Sequence, residues 1–126
     1  NWQLKSVAKM MAARDMTENE REVYLVSMGT FDYHQDLTHK FSKNLEVVDS
    51  SIAAFKREMD HQGIWDNIVL LISSDFGRTL TSNGLGSDHA WGGNYFAAGG
   101  SINGGHMHGV YPSDLREKFT PVKLAY

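Results

Sequence analysis

The sequence of 126 residues contains no cysteine and only two prolines. Without cysteine the chain can form no disulfide framework, and chemistry that depends on a thiolate is excluded. Hydrophobic residues make up 41% of the chain, and there is no low-complexity run, so disorder is not the default expectation. The chemistry of this chain must therefore come from acidic, basic, hydroxyl and imidazole side chains.

Excess positive charge and long apolar runs are also missing. Twelve Lys and Arg residues stand against fifteen Asp and Glu residues, which gives a formal net charge of −3. Nucleic-acid-binding surfaces need clustered positive charge, so we expect no nucleic-acid partner. No apolar run approaches the roughly 20 residues that a membrane-spanning helix requires, and we expect a soluble chain with no membrane span.

The strongest structural signal is the segment Asn67–Thr79, NIVLLISSDFGRT. It begins with the continuous apolar run Ile68–Ile72, which is typical of a strand buried on both faces of a parallel sheet. Asp75 and Arg78 follow this run, and ligand crevices of open α/β sheets lie just past the carboxyl ends of strands. Both are candidate site residues, although a turn-capping Asp and a surface ion pair would also account for them.

The rest of the chain predicts further helices and a second strand. Trp2–Arg14 and Leu37–Gln62 carry apolar residues at helical spacing, and Gly63 stands where glycine commonly ends a helix. Val23–Met28 has the composition of another buried strand. A strand, a long helix and a strand in succession indicate a βαβ unit. We expect an α/β fold with a mostly parallel sheet flanked by helices.

Residues of metal-ligand type follow the first predicted strand. Asp32 and His34 are two positions apart, so in an extended chain their side chains face the same side. A carboxylate with an imidazole suits zinc, manganese or iron, whereas carboxylate oxygens alone would suit calcium or magnesium. We predict that both residues are metal ligands. His89 lies beside Asp88 in a glycine-bounded loop, where a hydrogen bond to the backbone is the favoured interpretation for an isolated pair.

Four stretches together resemble a known family: MGTFDYHQD, SSDFGRT, NGLGSDHAWGG and AAGGSINGGHMHGVYP. In this order and spacing they look like the carboxyl-terminal half of the bacterial domain-of-unknown-function family 1501. That family is similar to the sulfatase and alkaline phosphatase superfamily. The resemblance implies an alkaline phosphatase-like α/β fold with divalent metal ions, zinc, manganese or calcium, at the carboxyl edge of the sheet.

The resemblance also implies roles for individual residues. Asp32 and His34 match the first metal-binding pair, Asp75 the second metal-binding Asp, and His89 the last metal-binding His. Arg78 would contact the oxygens of the substrate in a catalytic role. Phe76 stands where the wider superfamily has a metal-binding His. The chain therefore lacks one ligand of a full two-metal site.

The family pattern further implies that the chain is incomplete. The nucleophile of the superfamily lies near its amino terminus, and nothing in residues 1–126 corresponds to it. We therefore expect either a single domain or a carboxyl-terminal fragment, whose partners are the remainder of its own polypeptide or other protein chains. The resemblance also suggests an exported protein.

Two functions follow as expectations. The first is a part of a metal-dependent hydrolase of phosphate or sulfate esters, inactive as an isolated chain. The second is a non-catalytic structural or interaction subunit, which the missing nucleophile and the missing histidine favour. A carbohydrate-binding module would rest only on tryptophans and tyrosines that more plausibly fill a core.

Overall fold

The computed structural model describes residues 2–110, and residue 1 and residues 111–126 lie outside the described part. Two helices dominate it: α1 spans Trp2–Ala12 and α2 spans Leu37–His61. Short 3-10 turns at Arg14–Met16 and Trp65–Asn67 follow the two helices. Both predicted helices are thus confirmed to within two residues at their ends.

The end of α2 follows from Gly63, as the sequence predicts. Gly63 has a φ of 68°, a left-handed conformation that glycine adopts without steric penalty. Its N–H donates to Asp60 O at 3.0 Å, and the Ile64 N–H donates to Met59 O at 3.0 Å. This pair of hydrogen bonds is a Schellman motif, which satisfies the last carbonyls of the helix. The chain then turns back toward the segment that begins at Ile68.

Within residues 2–110, four short strands form two separate antiparallel pairs. Strand β1 (Leu70–Ile72) pairs with β4 (Phe96–Ala98), and β2 (Gly77–Arg78) pairs with β3 (His89–Ala90). The mixture of helix and strand agrees with the coarse expectation. The prediction of a mostly parallel sheet is wrong for residues 2–110, because β1 pairs antiparallel with Phe96–Ala98 and not with Val23–Met28.

The predicted strand Val23–Met28 has no ladder partner within residues 2–110. Its side chains nevertheless alternate as in an extended chain. Tyr24 and Val26 are half-buried, whereas Val23 and Leu25 are 97% and 96% exposed. The Ser27 N–H donates to Gln3 Oε1 at 2.8 Å, which ties the segment to α1. One face of the segment therefore packs on the protein and the other faces solvent.

The hydrophobic core lies where α1, α2 and this extended segment meet. Its buried members in the described residues are Val7, Ala8, Phe55 and Met59, and Met59 is fully buried. Half-buried residues of the extended segment and of the approach to β1 pack against them, namely Tyr24, Val26, Ile64, Trp65 and Ile68. The tryptophan at position 65 thus belongs to the core periphery. Neither helix in residues 2–110 is long and apolar enough to cross a membrane.

Candidate metal centre

Three of the predicted metal ligands come together between two loops. Asp32 and His34 lie in the loop of residues 30–36 that leads into α2, and His89 begins β3. The Asp32 Oδ1 atom is 2.6 Å from His89 Nε2 and 3.1 Å from His34 Nε2. One ligand atom from each side chain lies within 4.8 Å of the other two. All three side chains are 44–64% exposed, so a substrate could reach the cluster.

The second ring nitrogen of His34 contacts another carboxylate. His34 Nδ1 lies 2.9 Å from Asp88 Oδ1, which also accepts a hydrogen bond from Asn83 Nδ2 at 3.1 Å. An ionised carboxylate only accepts, so the proton of this contact is on Nδ1 of His34. In a neutral ring the Nε2 lone pair then faces the Asp32 oxygen, and only a proton or a metal cation between them makes this contact favourable.

The titration of these groups agrees with that arrangement. The hydrogen bond to Asp88 is the main cause that raises the pKa of His34 above 6.5, and the Asp32 and Asp88 charges add to it. The hydrogen bond to His89 lowers the pKa of Asp32, and the hydrogen bonds to His34 and Asn83 lower the pKa of Asp88. Two carboxylates thus favour a cation on and around His34, whether it is a proton or a metal ion.

Phe76 provides an aromatic wall for the cluster. Its ring stacks on His89 with centroids 4.0 Å apart, and His89 in turn stacks on His34 at 5.0 Å. Phe76 therefore lies at the cluster and contacts the side chain of a predicted ligand. It contributes packing to His89 and no donor atom.

Arg78, the predicted catalytic residue, connects the two loops. Its guanidinium donates to Phe31 O at 2.8 Å and to Ser87 O at 2.5 Å, and its Cζ lies 5.4 Å from the centre of the Phe76 ring. Arg78 also pairs with His89 in the β2–β3 ladder. It is thus next to the cluster, and the predicted contact with substrate stays a prediction.

Asp75 is the one predicted ligand that lies outside the cluster. It is exposed in the bend between β1 and β2, and it is not part of the three-residue group. Phe76, its neighbour in the chain, is the residue that contacts the cluster, and Asp75 supplies no atom to the ligand group.

The loop that carries Asp32 and His34 is anchored on α2. Asn44 Nδ2 donates to Thr30 O at 2.5 Å and to the Tyr33 hydroxyl at 3.0 Å. Thr30 has a φ of 72°, which is unusual for a β-branched residue and marks a sharp change of chain direction. Asn44 thus supports the strained entry to the loop. The helical pattern of α2 gave no signal for this role.

The donor set fits one divalent cation. Two imidazole nitrogens and one carboxylate oxygen are ligands that zinc, manganese and iron(II) accept, whereas calcium prefers oxygen ligands alone. Zinc bonds of about 2.0–2.2 Å place neighbouring ligand atoms roughly 3.4 Å apart in a tetrahedral site. The 2.6 Å contact between Asp32 and His89 would therefore have to open by less than about 1 Å. Three protein ligands also leave a coordination position open, as in catalytic zinc sites.

Comparison with known proteins gives one match. The family model described as "Protein of unknown function (DUF1501)" matches residues 3–122. No curated protein and no solved structure matches the chain.

Proposed function

The chain belongs to the family described as protein of unknown function, DUF1501, and we propose that it carries the metal-binding part of a hydrolase of phosphate or sulfate esters. The convergence of Asp32, His34 and His89 within 4.8 Å carries this proposal. The carboxylate of Asp88 behind His34 adds to it, because histidines that bind metals commonly donate their other N–H to a carboxylate.

In the proposed hydrolase, the residues of the cluster and Arg78 would have different roles. Asp32, His34 and His89 would hold the ion, and their exposure leaves room for an ester beside it. A bound divalent ion would polarise an ester oxygen and offset the negative charge that develops during hydrolysis. Arg78 uses two of its five N–H donors on Phe31 and Ser87, so others remain to bind ester oxygens.

The proposal assigns no nucleophile to these residues. The attacking group would come from the remainder of the polypeptide or from another chain. The relationship to the alkaline phosphatase superfamily is part of the proposal, and it would require Val23–Met28 to pair with a strand outside residues 2–110. The backbone edges of that segment have no ladder partner in residues 2–110, so they can accept such a strand.

The test combines metal binding, ester binding and turnover on the 126-residue protein. We expect one equivalent of Zn²⁺ or Mn²⁺ per chain by calorimetry, and binding of an aryl phosphate or aryl sulfate only when metal is present. Asp32→Asn and His89→Gln should lose both, whereas Asp49→Asn, an exposed site on α2, should lose neither.

Each result decides a different part of the proposal. No metal binding by the wild-type protein would refute the metal centre. Metal binding without binding of either ester would refute the hydrolase assignment and leave the metal centre intact. Rapid metal-dependent hydrolysis by this chain would support the hydrolase assignment and refute the claim that these residues contain no nucleophile.

A second candidate function is a non-catalytic interaction subunit. The observation that favours it is the near-complete exposure of Val23 and Leu25 in a segment without a ladder partner in residues 2–110. Extended segments with an apolar face readily add to another strand. Self-association of the wild-type protein that Val23→Lys/Leu25→Lys abolishes would support this candidate, and a stable wild-type monomer would contradict it.

A further inference from the structure

We propose that Asp88 is a positioning residue that aims the Nε2 atom of His34 at the metal. The inference rests on the metal centre proposed above and extends it to a residue that is not a ligand. Asp88 Oδ1 accepts a hydrogen bond from the Nδ1–H group of His34, and the two atoms are 2.9 Å apart. The Nε2 atom, on the far side of the ring, then lies 3.1 Å from Asp32 Oδ1, at the cluster.

The orientation of Asp88 is itself fixed by Asn83. The Asn83 Oδ1 atom accepts hydrogen bonds from the N–H groups of Leu85 and Gly86 at 3.0 and 2.8 Å. Because the carbonyl end of the amide is used there, its nitrogen end must face Asp88, to which it donates at 3.1 Å. The same nitrogen also donates to His34 O at 3.4 Å, so Asn83 contacts both members of the pair.

Backbone contacts hold Asp88 at the base of the β2–β3 hairpin. Its N–H donates to Thr79 Oγ1 at 3.2 Å, and its carbonyl accepts from the Thr79 N–H at 2.8 Å. Asp88 precedes His89 directly, so one segment of the hairpin supplies a ligand and also the carboxylate that orients the ligand of the opposite loop. Docking of this hairpin on the 30–36 loop therefore sets the geometry of both histidines together.

The first arm of the test needs no metal. Nitrogen chemical shifts of the His34 ring should place the proton on Nδ1 in wild-type protein above the pKa of His34. In Asp88→Ala we expect the proton on Nε2, where Asp32 can accept it. Asp88→Asn keeps a carbonyl acceptor, so we expect the wild-type tautomer there. An unchanged tautomer in Asp88→Ala would overturn the proposal.

The second arm measures zinc affinity by competition with a chelator. Carboxylates that orient ligand histidines typically contribute about 10–100-fold in metal affinity, so we expect a loss of that size in Asp88→Ala and a smaller one in Asp88→Asn. The matched control is Asp36→Asn, the same charge change at an exposed residue of the 30–36 loop that makes no side-chain cap, and it should bind as wild type.

The outcomes separate this inference from the function proposed above. Wild-type protein that binds no zinc would overturn the metal centre and the role of Asp88 with it. Wild-type affinity that survives in Asp88→Ala would overturn the role of Asp88 alone. If Asp88→Ala does not fold, the larger Asp88→Leu, which also lacks an acceptor, decides the matter, because zinc affinity equal to that of Asp36→Asn would then overturn the proposal.

Discussion

The rings of Phe76 and His89 lie face to face, with centroids 4.0 Å apart and planes inclined by 16°. A histidine at position 76 would offer a donor atom in this place. The phenyl ring instead packs on the ligand imidazole and limits its rotation. The site therefore has the donors for one ion, and its second imidazole is held by packing as well as by Asp32.

Replacement of Phe76 by Leu should weaken metal binding. Stacked aromatic pairs contribute about 0.5–1.5 kcal/mol beyond their buried area, which corresponds to a roughly two- to tenfold loss of affinity. Zinc titration of Phe76→Leu checks this. The control is Phe96→Leu, which changes a 47% exposed ring on β4 and should leave affinity unchanged. Equal affinities in the two variants would show that the stack does not orient His89.

Asp75→Asn should leave metal affinity within about twofold of wild type, because the carboxylate lies outside the ligand group. The comparison is Asp32→Asn, for which we expect a loss of more than about 100-fold, since it removes a ligand. Calorimetric titration with Zn²⁺ measures both. A loss in Asp75→Asn as large as that in Asp32→Asn would mean that metal binding draws Asp75 into the site and that the resemblance assigned it correctly.

Arg78→Lys should destabilise the fold. The guanidinium holds Phe31 O and Ser87 O at the same time, and a single ammonium group does not reproduce this geometry. We expect a loss of about 1–2 kcal/mol in the free energy of unfolding in urea. The control Arg57→Lys, at an exposed site on α2, should stay within about 0.5 kcal/mol of wild type. Equal stabilities of the two variants would contradict this structural role, and the predicted contact with substrate would be the one role left for Arg78.

Gly77→Ala should disrupt the hairpin that carries His89. A Cβ atom at Gly77 would meet Ala90 O and Gly92 O at 2.7 Å, and both are backbone atoms that cannot swing aside. We expect a loss of about 1–3 kcal/mol in unfolding free energy, with weaker zinc binding. Gly29→Ala is the matched control, because nothing lies within 4 Å of its added Cβ. A Gly77→Ala protein as stable as Gly29→Ala would contradict the hairpin geometry.

The pH dependence of stability should reveal the His34 interactions in metal-free protein. The pKa of His34 is raised from 6.5, chiefly by the hydrogen bond to Asp88, so its contribution is full below 6.5 and is lost as pH rises through the raised value. The pKa values of Asp32 and Asp88 are lowered from 3.8, so their contributions are present above 3.8 and are lost as pH falls through the lowered values.

Wild type should therefore exceed His34→Gln in urea midpoint most clearly between pH 3.8 and 6.5. The difference should shrink as pH rises through the raised pKa of His34 and as pH falls through the lowered pKa values of Asp32 and Asp88, and added salt should reduce it, because the groups are exposed. A difference that grows steadily toward alkaline pH would contradict the assigned proton on His34.

The sequence predicted the helices well because their signals are local. The apolar spacing of α2 and the glycine at position 63 fix its length without reference to distant residues. The run Ile68–Ile72 predicted a strand, and β1 forms there. Its direction of pairing depends on Phe96–Ala98, some 25 residues away, and no pattern within the run encodes that choice.

The candidate site was predictable in part for the same reason. The i, i+2 spacing of Asp32 and His34 places both on one side, and His89 joins them as the resemblance implies. Asp75 lies outside the group, whereas its neighbour Phe76 packs on the His89 ring, and the sequence does not reveal which of the two reaches the cluster. The residues that support the loops, Asn44 and Asn83, were missed because an amide in a helix or a turn has many equally common uses.

The contacts His34–Asp88 and His89–Asp32 join residues 54 and 57 positions apart. Such contacts form only after a long stretch of chain has closed on itself, and the unfolded chain cannot offer the same set of ligands. A cation held at this point would act as a reversible cross-link between the two halves of the described chain. At a concentration of one hundred times its dissociation constant, it would add about 2.7 kcal/mol to the free energy of unfolding. In this sequence, which has no cysteine, a bound metal ion would thus provide the kind of stabilising cross-link that disulfides provide in other proteins.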